Sequence, residues 1–94
     1  MGTLFLIGRA LKTDTALAAA EGLAERGEDV HLLFILRGVE NAENSALIGR
    51  LGFAKSVSCL DDGSVKDVAE GVEVVDYSGW VRLIEACERI VSWT

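Results

Sequence analysis

Val30-His31-Leu32-Leu33-Phe34-Ile35-Leu36 is the stretch on which the fold turns. Its apolar residues are nearly continuous and lack helical periodicity. A strand buried on both faces of a parallel sheet calls for such a run. Arg37-Gly38 ends it. Upstream, Thr3-Leu4-Phe5-Leu6-Ile7 has the same character and stops at Gly8. Between the two, Ala16, Leu17, Ala20, Leu23 and Ala24 recur at helical spacing, with small residues every fourth position that let a helix sit close on a sheet. Thr13, Asp14 and Thr15 offer capping oxygens at its start, and Gly27 supplies the left-handed stop.

Downstream the same rhythm continues. The polar residues 40–44 read as a loop, and residues 45–51 as a short helix with Leu47, Ile48 and Leu51 facing inward and Gly52 closing it. Ser56-Val57-Ser58-Cys59-Leu60 alternates like a third strand, and Asp61-Asp62-Gly63-Ser64 turns the chain toward a weak helix over 65–70. Val72-Glu73-Val74-Val75-Asp76-Tyr77 reads as a fourth strand. Ser78 then caps a last helix whose apolar stripe is Trp80, Leu83, Ile84, Cys87 and Val91, and Val91-Ser92-Trp93 is placed for a short terminal strand. Strands alternating with helices predict one α/β domain over residues 1–94. Its three α/β/α layers would enclose a mostly parallel sheet of about four to five strands. Ligands of such folds gather beyond the carboxyl ends of the strands.

Composition narrows the function classes. The 94 residues are half hydrophobic and contain no proline, so one domain is the ceiling and disorder is disfavoured. The longest apolar run, residues 32–36, is far short of the ~18–20 residues of a membrane span. No basic segment followed by an apolar stretch and a cleavage site is seen, which leads to the expectation of a cytoplasmic protein away from membranes. Two cysteines do not make a disulfide framework, and no Cys/His cluster has zinc-ligand spacing, so no metal is expected. A formal charge of −6 disfavours direct nucleic-acid binding. Residues 1–55 carry 6 basic and 7 acidic groups, residues 56–94 carry 3 and 8, and an anion site is therefore expected in the first half.

Nucleotide motifs fail. Gly8 with Lys12-Thr13 lacks the glycine directly before lysine and the spacing of a phosphate loop, and no GxGxxG follows either strand. A receiver-like module needs an acidic cluster at the end of the first strand, where Gly8-Arg9 stands instead. Cys59 is the best chemical candidate, at a predicted strand end before a polar turn and a helix start that would favour a thiolate. Asp61 and Asp62 act the other way, and Arg9 or Arg37 facing the sulfur would tip the balance back. The alternative is a small hydrophobe ending a strand. Cys87, on the apolar stripe of the last helix, reads as inert core. His31 has the chemistry of a general base but no partner assignable from sequence, so it reads better as a packed histidine or one at the start of its strand. Arg9 and Arg37 are placed to frame an anion site, or are ordinary surface residues. Trp80 and Trp93 read as packing or subunit-contact residues, and Tyr77 is placed to present its hydroxyl at a strand end.

Val74-Val75-Asp76-Tyr77-Ser78-Gly79-Trp80-Val81-Arg82-Leu83, followed by Val91-Ser92-Trp93, resembles the ending of the DsrH/TusB group of the DsrE/DsrF/DsrH-like sulfur-relay family. The shared features are an Asp-Tyr at a strand end, an aromatic-Val opening the helix and a tryptophan near the terminus. Gly38-Val39 is similar to the Gly-Val after the corresponding strand of that group. The specific match covers about the last quarter of the chain, while length and element order fit throughout. It departs in two places: no cysteine stands in the first helix, and Arg37 replaces the usual acidic residue before Gly-Val.

The resemblance implies a DsrEFH-like fold and a cytoplasmic subunit of a sulfur-relay oligomer, serving tRNA thiolation or sulfur oxidation. It would assemble with itself or with DsrE/DsrF-like subunits and meet sulfur-donor and sulfur-acceptor proteins. Two roles follow. In the first, Cys59, near where DsrE-type subunits carry their accepting cysteine, takes persulfide sulfur and passes it on. It would be a carrier rather than a turnover enzyme, needing no cofactor, with Arg9 or Arg37 favouring the anionic sulfur and Gly38 keeping the approach open. In the second, the chain is a non-catalytic assembly subunit that uses Trp80, Trp93 and an apolar helix face to hold a partner bearing the reactive cysteine. The carrier role requires the Cys59 thiol to emerge where a sulfane compound can touch it. A sealed thiol leaves a scaffold.

Overall fold

The computed structural model describes residues 2–8, 15–61, 63 and 67–93. Five strands form one all-parallel sheet: β1 (Gly2–Ile7), β2 (Asp29–Phe34), β3 (Ser56–Leu60), β4 (Glu73–Val75) and β5 (Arg89–Trp93), in the spatial order β4-β3-β2-β1-β5. The α/β class is as expected, and the terminal Val91-Ser92-Trp93 segment does pair, beside β1. The helices are α1 (Thr15–Glu25), α2 (Ser45–Gly49) and α3 (Tyr77–Ala86).

Strand alternation divides the core in two. Phe5, Ile7, Leu32, Phe34, Val57 and Cys59 project to one side, where they meet Leu17 and Ala20 of α1 and Leu47 and Ile48 of α2. Leu4, Leu6, Leu33, Ile35 and Leu60 project to the other, beneath Trp80, Leu83 and Ile84 of α3. The layers are therefore helix, sheet, helix. The chain steps outward from β1 to β4 with its helices on the first side. It then returns to the far side of β1 through α3 on the second. The two sides are unequally covered, since no residue of α3 is fully buried.

Local structure differs from the sequence reading in several places; the strand expected over 72–77 is only Glu73–Val75, and Tyr77 opens α3 instead of ending the strand. Residues 40–43 of the expected loop over 40–44 belong instead to a 3₁₀ helix, Leu36–Glu43, that buries Gly38, Val39, Asn41 and Ala42. Its polar composition hid an inward face of three side chains and a glycine. Residues 67–70 do not continue a helix over 65–70. They form a bend and turn tied down by Ala69 N–H donating to the Ala42 carbonyl at 2.7 Å. Residues 65 and 66 of that expected helix lie outside the described residues, as do the capping residues Thr13 and Asp14. Val91 belongs to β5 rather than to the last helix.

The cap of α3 is Asp76 rather than Ser78: its Oδ1 accepts from Gly79 N–H at 2.9 Å. Extended backbone at Asp76 allows this geometry, and the missing Cβ of Gly79 lets the first turn press on Val75, which a Cβ there would meet at 2.8 Å. Asp76→Ala is expected to cost about 0.5–2 kcal/mol of stability, measured by urea unfolding. Ser78→Ala should leave the midpoint within about 0.5 kcal/mol of unchanged.

Candidate functional site

Cys59 is the penultimate residue of β3, in register with Phe34 of β2 and Val74 of β4. It projects into the larger half of the core, and its side chain is 0% exposed. Its Sγ contacts the Leu60 carbonyl at 3.7 Å, the geometry of a weak S–H donor. The expectation of a thiol at a strand-end ledge is not met. Cys59 is level with Ile7 and Phe34, the last residues of β1 and β2, but parity turns its side chain with Val57 to the α1 and α2 side, into the cluster with Leu17, Ala20, Leu47 and Ile48. The two cysteines form no disulfide. Cys87 caps the C-terminus of α3 and packs beside Leu83 and Ile84 rather than lying deep in the core. Burial pushes its thiol above the ordinary value.

The proposed anion frame is only partly visible. Arg9 lies outside the described residues. Arg37 is exposed on the 3₁₀ helix, whereas Gly38 is buried and its N–H donates to the Ile35 carbonyl at 2.8 Å. Gly38 therefore serves the tight start of that helix, just after Leu36, which holds a left-handed φ of 53°. Leu36 is also 64% exposed, an apolar side chain held outward by a backbone conformation uncommon for its type.

Trp80 and Trp93 are half-buried on opposite faces of the sheet, Trp80 as part of α3 and Trp93 on the α1 side. They do not form one patch. The indole Nε1 of Trp80 is buried with no hydrogen-bond partner among the described residues. The apolar residues that α3 offers outward are Tyr77 and Val81, 64% and 51% exposed. They stand four positions apart and so share one helix face. Sequence reasoning placed the inward stripe of this helix correctly at Trp80, Leu83 and Ile84. It named an apolar helix face for a partner but not its residues, Tyr77 and Val81, which flank that stripe.

A second feature was missed outright. His31 Nδ1 lies 2.7 Å from Ser56 Oγ, its register neighbour on β3. Ser58 and Glu73 continue this polar row across β3 and β4, on the α3 side of the sheet. The row floors an open cavity of about 330 Å³ roofed in part by Arg82 and Leu83. Gly2 makes room for the imidazole, since a Cβ there would meet its ring at 3.3 Å. The signal was present in the alternation of Ser56 and Ser58, but which strand stands beside them is not legible without strand order. The cavity's lining runs from His31 and Ser56, early in their strands, to Val75, the last residue of β4.

Compared with models of known families and with curated proteins, the chain matches none.

Proposed function

We propose that the chain is a non-catalytic assembly subunit, of the kind that its DsrH/TusB-like ending implies, and that it holds a partner bearing the sulfur-accepting cysteine. The zero exposure of Cys59 carries this reading. A persulfide donor must bring its outer sulfur into contact with the attacking thiolate, and a thiol enclosed among Phe34, Val57 and the helices gives it no approach. The exposed Tyr77–Val81 face of α3 supports the assembly role, because adjoining apolar side chains on one helix face mark contact surfaces. Among the described residues no helix is long and apolar enough to cross a membrane. A cytoplasmic place for the complex is part of the same proposal.

The test is reconstitution with DsrE/DsrF-like subunits. Cys59→Ser is expected to sustain sulfur transfer at the unsubstituted rate. Val81→Asp should abolish co-elution while leaving the circular dichroism of the chain unchanged. Loss of transfer in a folded Cys59→Ser complex, or one sulfur added to Cys59 by a persulfide donor under native conditions, would overturn the reading.

A further inference from the structure

We infer that β5 pairs with β5 of a second copy of this chain, antiparallel about a two-fold axis through Val91, joining two sheets into one of ten strands. This surface is separate from the α3 face assigned above, and the inference does not depend on that assignment.

The sheet has two edges. β4 is three residues long with Glu73 and Val74 exposed, and a short charged strand is a poor template for further pairing. β5 is five residues long, without proline, lysine or a break in its pairing to β1. Its sole charge, Arg89, is held by Glu28 of the same chain at 3.7 Å. Ile90 is 43% exposed on this edge strand. By its length, its charge, its lack of proline and its unbroken pairing, this edge is open to further pairing among the described residues.

Backbone direction sets the register. Trp93 turns its carbonyl toward β1, where it accepts from Gly8 N–H at 2.9 Å. By strand alternation Val91 and Arg89 also turn their amides inward, and Ile90 and Ser92 direct N–H and C=O away from the sheet. In an antiparallel pair centred on Val91, Ile90 lies opposite Ser92 of the second copy, and the two exchange both hydrogen bonds. The symmetric pair does the same, so all four outward donors and acceptors are met. The same register sets Arg89 across from Trp93 of the second copy, on the face shared with Val91. A strand whose sequence complements itself in the register its own hydrogen bonding dictates fits a second copy better than an unrelated peptide.

Proline at position 92 removes an outward N–H and no bond to β1, and proline is tolerated on edge strands in that orientation. In sedimentation across a concentration series, the unsubstituted chain is expected to be dimeric. Ser92→Pro should weaken the dimer at least on the order of tenfold, from two lost hydrogen bonds. Val91→Cys places two thiols on the axis at a non-hydrogen-bonded position, where Cα atoms lie about 4.5 Å apart and a disulfide fits. Mild oxidation should cross-link it to covalent dimer, while the unsubstituted chain stays uncross-linked.

A chain that is monomeric at every concentration would overturn the inference, whatever it binds, and would leave the assembly role standing. A dimer that resists a folded Ser92→Pro and yields to Val81→Asp would overturn it in favour of the α3 face. If Ser92→Pro does not fold, the Val91→Cys cross-link decides, and its absence overturns the pairing.

Discussion

Alkylation of the native protein with a small iodoacetamide is expected to modify Cys87 first and to leave Cys59 behind by about a thousandfold or more. Cys59 is fully enclosed on β3 between the strands carrying Phe34 and Val74, so its thiol reacts only in molecules that open. Core strands open with free energies approaching that of global unfolding, and a domain of this size has about 5–14 kcal/mol to lose. At 1.4 kcal/mol per tenfold, even the lower bound gives protection above about a thousandfold. Cys87 needs no such opening, because it sits half-buried at the end of α3. Its rate has its own pH signature. Burial raises its thiol pKa, so its labelling should climb further above the ordinary thiol range than that of an unfolded control. The linked effect on stability has a definite sign: the protonated thiol is favoured in the fold. Its contribution is intact below the unfolded pKa and fades as pH rises through the folded one. Mass spectrometry of partly labelled protein reads both cysteines at once. Equal rates for the two would remove the burial on which the assembly role rests.

Phe34→Ala should be among the most destabilising substitutions in the chain, costing about 3–5 kcal/mol. Phe34 is 0% exposed on β2, the central strand, and packs in the cluster that ties the sheet to α1 and α2. Truncation removes ring burial and leaves a cavity that neighbours held in a five-stranded sheet cannot close. Against a total of about 5–14 kcal/mol, that is from about a fifth of the stability to all of it. Val74→Ala is the control, because Val74 lies on the edge strand β4 and is 46% exposed. Its cost should stay below about 1 kcal/mol. Urea unfolding with an unchanged slope would confirm that both variants unfold as one unit. Similar midpoints for the two would show that β2 does not anchor the core.

Much of the fold was legible in residue order, because burial on two faces leaves a mark that one sequence carries alone. The runs at residues 3–7 and 30–36 became β1 and β2, although β2 ends at Phe34, where Leu36 turns to a positive φ. Residues 56–60 matched β3 at both ends. The errors fell where polar residues perform buried work. Asn41 is 6% exposed inside the 3₁₀ helix, and a polar stretch with one such buried side chain cannot be told from a loop by hydropathy. Asp76 and Ser78 are both competent caps by type, and the choice between them rests on which backbone stays extended.

Period-two and helical patterns are local, so residue order was enough for the alternation of strands and helices and for the inward stripe of α3. Strand neighbours, the face each strand turns to which helix, and depth from solvent are relations between distant segments. They put Cys59 inside rather than at an edge, brought His31 beside Ser56, parted Trp80 from Trp93 and left β5 as the open edge. No local pattern encodes them, because each depends on which strand pairs with which, and that pairing is decided when the whole core closes.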